Sequence, residues 1–110
     1  MAHRSPLPVT LDVTDERFPE PVEAAAYFVV SEALANVARY AHAEGATVRI
    51  GAEDGVLAVE VRDDGVGGAD EGAGTGLRGL ADRVAALDGS FAVESPPGGG
   101  TRVLAEIPLP

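Results

Sequence analysis

Between two apolar-rich runs, Thr47 to Ala52 and Val56 to Asp63, the chain places Glu53-Asp54-Gly55. Asp-Gly tolerates positive φ at both central positions of a two-residue hairpin, so the two runs are expected to pair as antiparallel strands. An isolated hairpin is marginal in water; the rest of the chain must supply further strands and a covering layer. Leu7 to Val13 alternates apolar and polar residues and reads as a strand, with flanking prolines that suit an edge. Ser90 to Ser95 and Thr101 to Pro108 read as two more, joined by the turn Pro96-Pro97-Gly98-Gly99-Gly100.

Two segments change period. From Pro19 to Ala43 the apolar residues Val22, Ala26, Val29, Ala33, Val37 and Ala41 recur at three- and four-residue spacing, which predicts a long helix. Pro21 fits its first turn, Glu20 and Glu23 sit near the positive end of its dipole, and Gly45 ends it. Gly76 to Leu87 repeats the pattern with Leu77, Leu80, Val84 and Leu87, and Gly89 is a stop. Between them, Asp64 to Thr75 holds five glycines, three acids and little to bury, and reads as a surface loop. The order strand, helix, strand, strand, loop, helix, strand, strand predicts a two-layer α/β sandwich with a mixed, mostly antiparallel sheet and helices on one face. At 110 residues this is one domain, spanning residues 1–110.

Composition removes several functions. A net charge of −10 argues against nucleic-acid binding, which needs a basic face. Without cysteine there are no disulfides or thiolate metal sites, and a reducing cytoplasm is allowed. No apolar run approaches the roughly 20 residues of a membrane span. All eight basic residues are arginine. A polyphosphate ligand must therefore be met by arginine, backbone N–H groups, a helix N-terminus or a divalent metal.

Three polar features could carry chemistry. Glu32, Asn36 and either Arg39 or Tyr40 fall on one stripe of the long helix. Asp63-Asp64-Gly65-Val66-Gly67 directly follows an apolar strand. Gly74-Thr75-Gly76-Leu77-Arg78-Gly79 opens the second helix, where glycines let N–H groups approach a phosphate. Taken singly, each has an ordinary alternative: a solvated helix face, a strand-end turn, a glycine-rich helix start. The third also matches the dinucleotide fingerprint G-x-G-x-x-G, with Glu94 20 residues past Gly74. That reading fails because Ala69-Asp70-Glu71-Gly72-Ala73, not a buried strand, precedes the first glycine.

In combination and in this order, with Gly-Gly-Gly-Thr entering the last strand, the features resemble the GHKL ATPases. SEALANVARYAHA, VEVRDDGVGG and GTGLRGLADRVAALDGSFAVESPPGGGTRVLAEIPL are most similar to the catalytic domain of sensor histidine kinases of the nitrate/nitrite-sensor class, from Ala24 to Leu109. The resemblance implies the Bergerat-type ATP-binding fold, ATP and Mg²⁺ as ligands, and a phosphohistidine product in two-component signalling. Asn36 would coordinate Mg²⁺ through its side-chain oxygen, and Glu32 would activate the attacking group. Arg39, beside Tyr40, would contact phosphate. Asp63 would accept from the adenine amino group, Gly65 and Gly67 would admit the base, and Thr101 would support Asp63. Gly74 and the run Gly76, Leu77, Arg78 and Gly79 would hold the phosphates, under a short lid from Gly68 to Thr75.

Neither His3, near the N-terminus, nor His42, at the end of the long helix, sits in the helical setting of a phosphoacceptor. The resemblance therefore implies that the acceptor histidine lies on a separate dimerisation domain of the parent kinase, with a response regulator acting downstream. Residues 1–110 alone are expected to be monomeric, cytoplasmic, without membrane contact, and unable to autophosphorylate. Two alternatives stay open: an anti-sigma-factor serine kinase of the same fold, and a non-catalytic nucleotide-gated interaction module.

Overall fold

Both central residues of the Asp54-Gly55 turn have positive φ, 55° and 78°, which closes the expected two-residue hairpin. This is seen in a computed structural model that describes residues 8–37, 45–65, 75–96 and 98–110. The elements are β1 (Val9–Val13), α1 (Glu20–Asn36), β2 (Ala46–Glu53), β3 (Val56–Asp63), α2 (Thr75–Ala85), β4 (Ser90–Glu94) and β5 (Thr101–Pro108). They form a five-stranded sheet ordered β1-β2-β3-β5-β4. The β1–β2 pair is parallel and the other three are antiparallel, as a mixed, mostly antiparallel sheet requires. The parallel pair follows from α1, which carries the chain back across the sheet between β1 and β2.

One face of the sheet is dry. Val48, Leu57, Val59, Val61, Val103, Ala105 and Ile107 alternate inward and pack under Val22, Ala25, Ala26, Val29 and Ala33 of α1 and Leu80 and Val84 of α2. α1 crosses β3 and β5, and α2 crosses β4 and β5. Side chains such as Leu57 and Ile107, fully buried here, each contribute about 1.5–3 kcal/mol by leaving water. The five described positions of the α1 apolar stripe, Val22, Ala26, Val29, Ala33 and Val37, are all buried; Ala41 lies outside the described residues. The opposite face is solvated and charged, with Arg102 bridging Glu60 and Glu94, and Arg49 3.6 Å from Asp12.

Several boundaries differ from expectation. The helix expected from Pro19 begins at Glu20, because Pro19 holds an extended ψ of 145° as the cap. Its far end, 38–44, falls outside the described residues. α2 starts at Thr75 and gives way after Ala85 to a turn in which Gly89 N–H donates to the Val84 carbonyl at 2.9 Å. Asp88 has φ 60° in that turn. The alternation read in β1 has no buried face behind it, since Leu11 is 67% exposed and Val9 and Val13 are exposed as well. β1 is an edge strand, as its prolines suggested, but α1 lies over β3 and β5 and leaves it uncovered.

Candidate functional site

Chain direction decides which helix ends meet. Val13 pairs with Ile50 at one end of the sheet, and α1 starts from there; Val9 pairs with Ala46 at the other end, where α1 returns the chain. Asp63 is the partner of both Ala46 and Thr101 at that same end. α2 leaves from there and runs back to Ser90, the partner of Glu106. α1 and α2 are therefore antiparallel. The C-terminus of α1 and the N-terminus of α2 both stand at the sheet end marked by Ala46, Asp63 and Thr101. That turns the positive end of the α2 dipole towards the sheet end at which Asp63 stands.

Glu32 and Asn36 lie on one stripe of α1 with Phe28. The Arg83 guanidinium of α2 sits over the Phe28 ring at 3.7 Å from its centroid, so this stripe runs along the α2 side of α1. Glu32 and Asn36 are half-buried, and the stripe leads from the Phe28 contact towards the Asp63 end. Asn36 is the last residue of the regular helix.

At the end of β3 the two aspartates do different work. Asp63 is half-buried, and its Oδ1 accepts from Gly65 N–H at 2.7 Å, a tight turn that bends the chain away from the strand. Asp64 is exposed, and its Oδ1 accepts from Gly45 N–H at 3.2 Å. It ties the end of β3 to the segment entering β2. Thr101, the strand partner of Asp63, shares a 2.7 Å hydrogen bond with Ser95. Gly76, Leu77, Arg78 and Gly79 lie in the first turns of α2, with Arg78 and Gly79 exposed. Among the described residues, a β-carbon at Gly79 would meet nothing within 4 Å.

The structure thus brings Glu32, Asn36, Asp63, Gly65, Thr101 and the opening of α2 to one end of the sandwich. Arg39, Tyr40, Gly67 and Gly74 lie outside the described residues, as do His3, His42 and all of the expected lid except Thr75, which opens α2. Motif spacing marks Asp64 and Gly100 only as members of their runs and does not mark Ser95, so the contacts these three make are visible in the structure alone. Gly100, at φ 78°, is buried against the backbone of Asp63 and Asp64. A run of three glycines before a strand signals only a turn, and contacts spanning 37 residues leave no local pattern. A cleft of about 480 Å³ also opens at this end, lined in part by Thr10, Thr47, Arg62, Asp63 and Asp64. It follows the solvated side of β1–β3, and neither Glu32 nor Asn36 lines it.

Fold and site together define an α/β sandwich whose polar end is built from a helix N-terminus, a strand-end carboxylate and a helix stripe bearing Glu and Asn. The chain belongs to the histidine kinase-, DNA gyrase B- and HSP90-like ATPase family, which it matches over residues 22–110. It is 35% identical over 97 residues to the signal transduction histidine-protein kinase/phosphatase DegS of Brevibacillus brevis, covering 86% of this chain and 25% of that protein. The oxygen sensor histidine kinase NreB of Staphylococcus carnosus (strain TM300) is 35% identical over 98 residues, 86% of this chain and 28% of its own length. The chain thus spans about a quarter of the length of these curated relatives. Among solved structures, the histidine kinase domain of the Erythrobacter litoralis EL346 blue-light activated histidine kinase superposes with a TM-score of 0.80 at 28% identity. That match covers 96% of this chain and 53% of the other.

Proposed function

We propose that residues 1–110 are the ATP-binding catalytic unit of a sensor histidine kinase, and that they donate the ATP γ-phosphoryl group to a histidine on a separate helical domain. The observation that carries the reading is the meeting of Asp63, the Glu32–Asn36 stripe and the N-terminus of α2 at one sheet end. Asp63 Oδ1 is held by Gly65, and a carboxylate has acceptor capacity to spare for the adenine 6-amino group. Gly65 and Gly67 leave room for the base, and Thr101 braces Asp63 from the neighbouring strand. The backbone from Gly74 through Gly76, Leu77, Arg78 and Gly79 offers N–H donors and the α2 dipole to the phosphates. The resemblance to the family assigns Arg39, beside Tyr40, to a phosphate contact.

The donor set at the site suits Mg²⁺ carried in with the nucleotide. Among the described residues there is no cluster of three or more His, Cys, Asp or Glu side chains able to cage a metal. Mg²⁺ commonly takes one or two protein oxygens together with substrate phosphates and water, and Asn36 supplies such an oxygen. When bound, the ion neutralises charge that builds on the phosphate oxygens. Glu32 holds the proton of the attacking imidazole. One imidazole nitrogen bonds to the γ-phosphorus, the bond from that phosphorus to the β–γ bridging oxygen breaks, and ADP leaves. The phosphohistidine then serves a response regulator. The phosphoacceptor domain is taken to be a separate part of the parent kinase, and the catalytic unit to be a cytoplasmic monomer on its own.

Calorimetric titration with Mg-ATP and Mg-GTP tests the binding step: one site per chain is expected, with GTP at least roughly tenfold weaker. Labelling with γ-labelled ATP tests the transfer. The chain alone should label negligibly, and the helical domain added in trans should acquire acid-labile phosphate, weakly, because tethering is lost. Acid-stable label on an added protein serine would replace this reading with a serine kinase of the same fold.

A further inference from the structure

β1 ends the sheet with one edge unpaired. Ala46 N–H donates to the Pro8 carbonyl at 3.0 Å and Thr14 N–H donates to the Ile50 carbonyl at 2.9 Å, so the even-numbered residues here turn their main-chain groups to β2. Those groups alternate along a strand, and the N–H and C=O of Val9, Leu11 and Val13 therefore point outward from the sheet edge. The same three residues carry the apolar side chains of β1. Their register with Ala46, Val48 and Ile50 puts these side chains on the helix face, in a part that α1 leaves uncovered. Among the described residues, three of the five exposed large hydrophobics are thus on this one strand, and Phe28, a fourth, lies under Arg83. Native edges are usually blunted by charge, proline or a bulge. From Val9 to Val13 the register is unbroken, and the single charge is Asp12, on the solvated face 3.6 Å from Arg49.

We propose that β1 pairs with β1 of a second copy of this chain, antiparallel about a two-fold axis at Leu11. Val9-Thr10-Leu11-Asp12-Val13 is self-complementary in that register. Val9 faces Val13 of the second copy and Leu11 faces Leu11. Each pair exchanges both of its N–H···O=C bonds, because these are the residues whose groups point outward. The three apolar side chains of each copy then meet on the helix face and cover one another across the axis. On the solvated face Thr10 stands opposite Asp12, a hydroxyl donor against a carboxylate, and no two carboxylates are directly opposed. An axis at Asp12 would oppose like charges, and an axis at Thr10 would carry Val13 past the start of β1. This symmetry selects a second copy over a foreign strand. The contact is small and two chains of net charge −10 repel, so dilute copies are monomers. The axis turns the Asp63 ends of the two copies in opposite directions, and the pairing needs no nucleotide.

Sedimentation velocity on the full chain, from roughly 10 μM to roughly 1 mM, tests the pairing. Wild type should pass from monomer towards dimer over that range, more readily at high salt than at low because salt screens the repulsion. Leu11→Lys and Leu11→Glu should each stay monomeric, since each sets like charges face to face at the axis. Both should melt near wild type, Leu11 being exposed. Mixing the two variants should restore a dimer with one copy of each. Amide exchange on wild type needs no variant: Val9, Leu11 and Val13 should gain protection as concentration rises, while Thr10 and Asp12, turned to β2, should not change. Wild-type chain that stays monomeric to roughly 1 mM would overturn the inference and leave this edge to a different partner. A dimer that both variants keep, or one formed without slower exchange at Val9, Leu11 and Val13, would place the contact elsewhere and overturn it too. A monomeric mixture would overturn the two-fold register. ATP plays no part in these measurements, so their failure leaves the proposed function standing.

Discussion

Gly100 presses its α-carbon against the carbonyl group of Asp63 so closely that no β-carbon fits between them. At φ 78° it also holds a conformation that side chains rarely adopt. The glycine before β5 therefore fixes the position of the carboxylate that ends β3. Gly100→Ala should push Asp63 and its turn to Gly65 out of place. We expect a stability loss of about 1–3 kcal/mol, and ATP binding at least roughly tenfold weaker. Gly51→Ala is the control, because a β-carbon there would meet nothing within 4 Å. Thermal melting and calorimetry on both variants check the contrast.

Asp63→Asn keeps the shape of the side chain and can still accept from Gly65 through its amide oxygen. Its amide can also turn an N–H₂ outward, which suits the guanine carbonyl. ATP affinity should fall by about ten- to a hundredfold, the value of a hydrogen bond to a charged acceptor, and the preference over GTP should shrink or vanish. Unchanged selectivity would remove Asp63 from base recognition.

Asn36 is half-buried at the end of α1 and absent from the apolar core. Asn36→Ala should leave the circular dichroism spectrum and the melting midpoint near wild type while abolishing phosphotransfer to an added helical domain. A loss of several kcal/mol of stability would return Asn36 to a packing role.

Glu23 anchors the start of α1. Its carboxylate takes a hydrogen bond from Arg17 at 2.9 Å and another from Phe18 N–H at 3.0 Å. The Arg17 bond is the larger cause, with Phe18 second, and together they hold its pKa at about 2, below the ordinary 4.5. A carboxyl group with a lowered pKa in the folded state adds stability that is fully present above its unfolded value and disappears as pH falls through the folded one. Glu23→Gln should therefore melt below wild type at pH 7, with the gap narrowing from about pH 4.5 towards pH 2. A gap that stays constant across that window would show that the charge of Glu23 plays no part.

What the sequence determined by itself was whatever rests on short-range chemistry. Asp54-Gly55 dictates a hairpin because both residues tolerate positive φ, and the spacing of Val22, Ala26, Val29, Ala33 and Val37 dictates which face of α1 is dry. The order of the polar motifs was enough to reveal the family, because Glu32, Asn36, Asp63 and Gly76 each sit at a recognisable place on their own element. Only the tertiary structure decided what those motifs meet. The strand order and the parallel β1–β2 pair bring the end of α1, the end of β3, the opening of α2 and the start of β5 to one edge of the sandwich. Asp63 and Asp64 are identical neighbours in the chain, yet one turns to Gly65 at the candidate site and the other ties down Gly45. The close fit of Gly100 against Asp63, the Ser95–Thr101 hydroxyl pair and the exposure of Leu11 were equally illegible. Steric fit, hydroxyl pairing across strands and the coverage of an edge strand depend on residues far away in the chain, which no local pattern encodes.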